Sequence, residues 1–154
     1  MKTTKWVLFA LWLLMACATA HAQPEQAGVR PQWLRYPAVS PDGSTIAFSF
    51  AGQIWRVAVA GGDAIPLTSG DFYSSYPVWS PDGKQLAFAS KQHGNFDVFV
   101  MSAAGGPIHR LTDHSSPDIP YAFSADGKEI YFSSSRLGGT STVLAGSYQR
   151  SDQL

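Results

Sequence analysis

The sequence is poor in the features that most often disclose a chemistry. It holds a single cysteine, Cys17, which excludes an intrachain disulfide framework and any thiolate zinc cluster. Charged residues are only 14% of the 154, and 11 Lys+Arg balance 11 Asp+Glu, so no basic footprint exists for phosphate backbones. Nucleic acid is therefore not expected as a partner. After the first residues no apolar run is long enough to span a bilayer. There is no Gly-x-Ser-x-Gly elbow, no His-Glu-x-x-His and no Gly-x-x-x-x-Gly-Lys loop, so the chain is expected to carry no catalytic residue, no cofactor site and no metal site. What is abundant points elsewhere: 14 Gly and 10 Pro beside five Trp, six Tyr and nine Phe are too aromatic for disorder and too punctuated for helices. An all-β body is expected.

The first 22 residues read as an address. Lys2 and Lys5 precede an uncharged apolar stretch from Trp6 to Ala18, and Ala20-His21-Ala22 supplies small residues before Gln23. The stretch is shorter than the roughly 20 residues that cross a bilayer as a helix, so a cleaved signal peptide over 1–22 and a periplasmic destination are expected, with no stable membrane span. Leu14-Met15-Ala16-Cys17 resembles a lipoprotein cleavage box, and the alternative is a lipid anchor on Cys17 that attaches the protein to the envelope.

The remainder is a repeat. Tyr36-Pro37-Ala38-Val39-Ser40-Pro41-Asp42-Gly43 returns at an offset of 40 as Tyr76-Pro77-Val78-Trp79-Ser80-Pro81-Asp82-Gly83, and Phe123-Ser124-Ala125-Asp126-Gly127 follows at a further 44. Trp55-Arg56-Val57-Ala58-Val59-Ala60-Gly61-Gly62 similarly matches Phe99-Val100-Met101-Ser102-Ala103-Ala104-Gly105-Gly106, and Leu67-Thr68 matches Leu111-Thr112. The extra four residues of the second unit lie around Lys91-Gln92-His93-Gly94. Each unit reads as four short strands, with the Asp-Gly pairs Asp42-Gly43, Asp82-Gly83 and Asp126-Gly127 as structural turns and apolar residues alternating at the period of a strand. Four strands every 40 to 45 residues are the signature of β-propeller blades. The fold expected is a partial β-propeller of two complete WD-like repeats and an incomplete third: 23–35 a lead-in, 36–75, 76–119 and 120–140 the blades, and 141–154 an unassigned tail that lacks a Gly pair.

Tyr-Pro-x-x-Ser-Pro-Asp-Gly, Asn95-Phe96-Asp97-Val98-Phe99-Val100-Met101 and Gly105-Gly106 followed by Leu111-Thr112 resemble the WD-like propeller repeats of TolB and of tricorn-type proteases, and most nearly the N-terminal propeller of tricorn protease homologues. The resemblance covers Pro31 to Arg136. It implies a noncatalytic, exported segment of a serine peptidase whose propeller handles peptide or protein substrates, with further blades and protease modules supplied in cis. Ala125 and the Pro120-Tyr121 order depart from the pattern. The alternatives are a stand-alone TolB-like periplasmic binding module that closes its ring by self-association, and a truncated fragment without function.

Candidate chemistry is sparse. Asp113-His114-Ser115-Ser116 holds triad residue types, but as sequence neighbours they read as a polar loop. The recurring aromatics Tyr36, Tyr76, Trp55, Phe99, Trp79 and Phe123 are expected in the core. Partner contact is expected from Phe72, Tyr73, His93 and Asn95 in the variable loops.

Overall fold

A computed structural model describes residues 33–138 and 142–147. The signal peptide, most of the lead-in, Cys17 and the end of the tail lie outside the described residues. Eleven strands form three antiparallel sheets. The first contains β1 (Arg35–Val39), β2 (Thr45–Phe50), β3 (Gln53–Ala58) and β4 (Ile65–Pro66). The second contains β5 (Ser74–Trp79), β6 (Gln85–Ser90), β7 (Asp97–Ser102) and β8 (Ile108–Arg110). The third contains β9 (Asp118–Phe123), β10 (Glu129–Ser134) and β11 (Thr142–Ser147). Each sheet is a meander of sequence neighbours, the arrangement of a propeller blade. β1 packs against β5 and β5 against β9, so the first strands converge as strands nearest a propeller axis do.

The turn between the first two strands has the same wiring in every blade. The Gly43 N–H donates to the Ser40 carbonyl at 2.8 Å, and Gly43, Gly83 and Gly127 sit at φ of 72°, 70° and 71°, the left-handed region where a side chain is strained. The serine before the turn is its hub. Ser80 Oγ donates to Asp82 Oδ1 at 2.7 Å and accepts from the Gln85 N–H at 3.0 Å, while the Lys84 N–H donates to Asp82 Oδ1 at 3.1 Å. Ser40 and Ser124 repeat this with Asp42 and Asp126. The Leu-Thr signal has an equally local cause. β4 and β8 are short, and beyond them Thr68 Oγ1 accepts the Ile54 N–H and Thr112 Oγ1 the Val98 N–H, both at 2.9 Å. A threonine hydroxyl thus continues a ladder that the backbone has left.

Blade 2 is buried on both faces, and all six residues of β6 are buried. Leu86, Phe88, Phe99 and Met101 point one way and pack with Ala47 and Ile54 of blade 1. Ala87, Val98 and Val100 point the other way and pack with Phe123, Ile130 and Phe132 of blade 3. Each fully buried Phe or Leu contributes about 2–3 kcal/mol through surface removed from water, so the blades hold together by two apolar layers. The period-2 alternation here separates two neighbouring blades, not core from solvent.

The third sheet runs to Ser147, whereas the repeat match leaves 141–154 unassigned. β10 pairs with β11 from Glu129↔Ser147 to Ser134↔Thr142, whereas β6 pairs with β7 from Gln85↔Ser102 to Ser90↔Asp97. The connection before β11 is one residue longer than its counterpart, so the strand lies 45 residues after β7 and covers the 142–145 stretch that the 44-residue offset points to. The first strands of the three sheets begin at Arg35, Ser74 and Asp118.

Candidate functional site: the loop end of the blades

The antiparallel meanders sort the connections into two ends. The Ser-Pro-Asp-Gly turns and the Gly pairs lie at one; the β2–β3, β4–β5, β6–β7 and β8–β9 connections lie at the other. A cavity of about 590 Å³ opens at the turn end between blades 1 and 2, lined by Asp42, Asp82, Arg56 and Lys84 among others. Its polar groups already serve the fold. Arg56 Nη1 donates to the Ala103 carbonyl at 3.0 Å, and the Asp42 carboxyl, fed by the Ser40 hydroxyl and by Ser44, is held down at about 2. Asp126 is lowered for the same reason, chiefly by Ser124.

The loop end collects the variable residues. Phe72 and Tyr73 are exposed on the β4–β5 connection, and His93 and Asn95 stand on the β6–β7 connection. The structure brings Tyr73 to the second loop: its ring meets Phe96 edge-on at 6.0 Å, and the Lys91 N–H donates to the Tyr73 carbonyl at 3.0 Å. Lys91 Nζ lies 4.7 Å from the Phe96 ring centroid. His93 is stacked over Phe99 at 6.2 Å. Asn95 has an internal task, since its Nδ2 donates to the His114 carbonyl at 2.7 Å and ties two loops together. Phe72 is exposed beside Gly70, and its carbonyl accepts Gln53 Nε2 at 3.0 Å.

The tyrosines of the two Tyr-Pro steps are not core residues, as the sequence suggests they should be. Tyr36 is exposed and Tyr76 half-buried, whereas Phe99 and Phe123 are buried. Both tyrosines occupy left-handed backbone, at φ of 52° and 58°, where the ladders between first and second strands slip by a β-bulge. The prolines that follow donate nothing to the ladder and are tolerated on an edge strand at a bulge. The strained backbone aims the two rings at each other, with centroids 4.0 Å apart. A hydrogen bond to Tyr36, then burial, pushes the Tyr76 phenol up to about 12. The core expectation for this pair fails, and the signal available was the residue type itself: a hydroxylated ring before proline suits a half-wet edge better than a core.

Asp113, His114 and Ser116 do not converge. Asp113 pairs with Arg110 at 2.9 Å, and His114 Nδ1 accepts the Ser116 N–H at 3.0 Å. Among the described residues no three His, Cys, Asp or Glu side chains gather to hold a metal ion, and no helix is long and apolar enough to cross a membrane. The strongest electrostatic features are inside the blades. Asp97 is fully buried and its Oδ2 accepts Arg110 Nη2 at 2.7 Å and Nε at 3.1 Å; Asp118, also fully buried, accepts Arg136 Nη2. Each leaves its Oδ1 without a partner. These pairs staple strand starts, and the Ser134 hydroxyl beside the second accepts Arg136 Nε at 3.1 Å as part of the same staple.

Four-stranded antiparallel meanders stacked through apolar faces, with their variable loops at one end, define a β-propeller segment. The comparisons specify which: residues 31–145 match the tricorn protease N-terminal beta propeller domain, and the chain belongs to that family. It is 32% identical over 104 residues to tricorn protease homolog 1 of Streptomyces coelicolor, covering 67% of this chain and 10% of that protein. It is 34% identical over 110 residues to the peptidase YuxL of Bacillus subtilis, covering 61% of this chain and 16% of the relative. The crystal structure of TolB from Acinetobacter baumannii superposes with a TM-score of 0.59 at 26% identity, over 72% of this chain and 29% of that one. The chain thus spans between a tenth and a sixth of the length of the two relatives.

Proposed function

We propose that the chain is a noncatalytic, exported propeller segment of a tricorn-like serine peptidase, and that it contributes binding or gating of peptide and protein substrates to chemistry carried out elsewhere. The observation that carries this reading is the family match over residues 31–145, joined to a fold in which Asp42, Asp82 and Asp126 serve turns and Asp97 and Asp118 serve strand staples. The half-exposed aromatic residues of the loop end, Tyr36, Tyr73 and Tyr76 with Phe96, supply the apolar surface on which a chain in extended conformation would lie. Export to the periplasm rests on Lys2, Lys5 and the apolar stretch that follows; lipidation at Cys17 is its alternative form.

The test is to read the coding DNA beyond Leu154 in all three frames. Further Ser-Pro-Asp-Gly units followed by a serine-protease domain are expected; unrelated sequence in every frame overturns the reading. The similarity to TolB favours one second reading, a stand-alone periplasmic module that binds protein and closes its ring by self-association. A closed oligomer of uniform mass in light scattering supports that module, and a heterogeneous aggregate supports a fragment without function.

A further inference from the structure

At the loop end of blade 1 a cavity of about 280 Å³ opens between the β2–β3 hairpin and the approach to β1, lined by Trp33, Arg35, Ser49, Phe50, Gly52 and Tyr73 among others. Three features of it are unexplained by blade packing. Trp33 is 70% exposed, an unusual position for an indole. Arg35 is exposed, lies 5.9 Å over the Trp33 ring, and makes no ion pair with a described residue. Ser49 is buried at 4% exposure, and its hydroxyl has no hydrogen-bond partner.

The hairpin side of the slot is held by its own hydrogen bonds. Gln53 Nε2 donates to the carbonyls of Gly70 at 2.8 Å and Phe72 at 3.0 Å, and the Ser74 N–H donates to the Gly52 carbonyl at 2.7 Å. Gly52 stands at φ of 78°, and a Cβ there would come within 3.4 Å of Tyr73 Cδ2. Glycine suits the left-handed backbone of the hairpin, and the Tyr73 ring lies at contact distance from it. The result is a preformed slot with aromatic sides and a single cation at its rim.

We propose that this slot binds a carboxylate carried on a flat apolar body. A planar guanidinium matches a planar carboxylate with two parallel hydrogen bonds, and Arg35, 5.9 Å from the Trp33 centroid, has no ion pair among the described residues to occupy its donors. A single cation suits a single negative charge better than a phosphate dianion. The apolar body fills the space between Trp33 and Tyr73, and the Ser49 hydroxyl is the donor beneath it. The assignment stands on this cavity alone and goes beyond the peptidase reading. The ligand has two sources, a free aromatic acid or the last residue of a polypeptide.

The experiment is a titration of the purified chain followed by the Trp33 indole N–H in 1H–15N NMR, with N-acetylphenylalanine, its neutral amide, and a hexapeptide ending in Phe. The acid is expected to give a saturable shift, and the amide to bind at least tenfold more weakly. Arg35→Gln should reduce the acid to the level of the amide while the dispersion of the other amides is unchanged, and Tyr73→Ala should weaken both probes. Binding should fade below about pH 4, where the carboxylate protonates. A hexapeptide tenfold tighter than the acid identifies a chain terminus, and equal affinity identifies a free acid; both uphold the site. Acid and amide binding alike, an acid affinity indifferent to Arg35→Gln, or no saturable shift overturns it.

Discussion

The Asp97–Arg110 pair makes the sharpest prediction because its two halves are unequally placed. The Asp97 side chain has no exposure at all, while that of Arg110 retains 27% and has a second anion, Asp113, at 2.9 Å. At about 3 Å and an effective dielectric near 20 the attraction is roughly 5 kcal/mol, most of it offset by the cost of drying the carboxylate. Replacing Arg110 with Met keeps the stem's packing and strands a buried anion whose Oδ1 is already unpartnered, so the cost should be about 3–5 kcal/mol. Replacing Asp97 with Asn removes the charge from the interior and leaves an acceptor, while Arg110 keeps Asp113 and solvent; the cost should be about 1–2 kcal/mol. The double variant D97N/R110M should be more stable than R110M alone, since the asparagine cancels the stranded charge. Urea unfolding followed by tryptophan fluorescence provides all three values from one assay. An Asp97→Asn cost equal to or above that of Arg110→Met, or a double variant no better than R110M, would refute the argument. Asp118 and Arg136 offer an independent repeat of the experiment in blade 3.

Three further outcomes are expected. Thr112→Val, nearly isosteric, should cost about 1–3 kcal/mol by orphaning the buried Val98 N–H and should speed its hydrogen exchange selectively; unchanged exchange would dismiss the hydroxyl's role. Carboxyl NMR should find Asp42 titrating near 2, and Ser40→Ala should move it towards the ordinary value because the serine hydroxyl is the largest cause. The folded value lies below the unfolded one, so this turn's contribution is complete above about pH 4 and is lost as pH falls towards 2. For Tyr76 the shift is upward, and its contribution is complete below about pH 10 and lost as pH rises through 12. Tyr36→Phe should lower that phenol, read by ultraviolet absorbance; an unchanged titration would show that burial, not the partner hydroxyl, sets it.

The blades were legible because their signals are local. Pro-Asp-Gly dictates a turn whatever surrounds it, and the alternation of Leu86, Phe88, Phe99 and Met101 places four side chains on one face of a sheet. The loop candidates were located by length variation between units, and the structure brings Tyr73 beside the His93–Asn95 loop through Phe96. What escaped the sequence depends on partners distant along the chain. Nothing near Asp97 distinguishes it from a surface carboxylate; its burial follows from Phe88 and Phe99 drawing blade 2 onto blade 1, and its neutralisation from Arg110 across the sheet. β11 was left unassigned because no Gly pair follows it, although its strand Thr142–Ser147 stands where the repeat places a third strand.

The contrast between the two ends of the blades follows from the same chemistry. At the turn end, each Ser-Pro-Asp-Gly step satisfies its own polar groups within six residues, so blade after blade can repeat it without reference to neighbours. At the loop end the threonine hydroxyls and one backbone bond recur, Ser74 N–H to Gly52 and Asp118 N–H to Phe96 at 2.7 Å, but the side-chain ties differ from blade to blade. Blade 1 uses Gln53 to hold the 70–72 backbone, blade 2 uses Asn95 to hold His114, and the left-handed tyrosines couple one blade to the next. A repeat protein can change such connections one at a time, because the apolar layers between blades carry the stability and the loops do not. Connections at the loop end can therefore differ from blade to blade without cost to the fold, and there the exposed Trp33, Arg35 with no ion pair among the described residues, and the paired tyrosines are found.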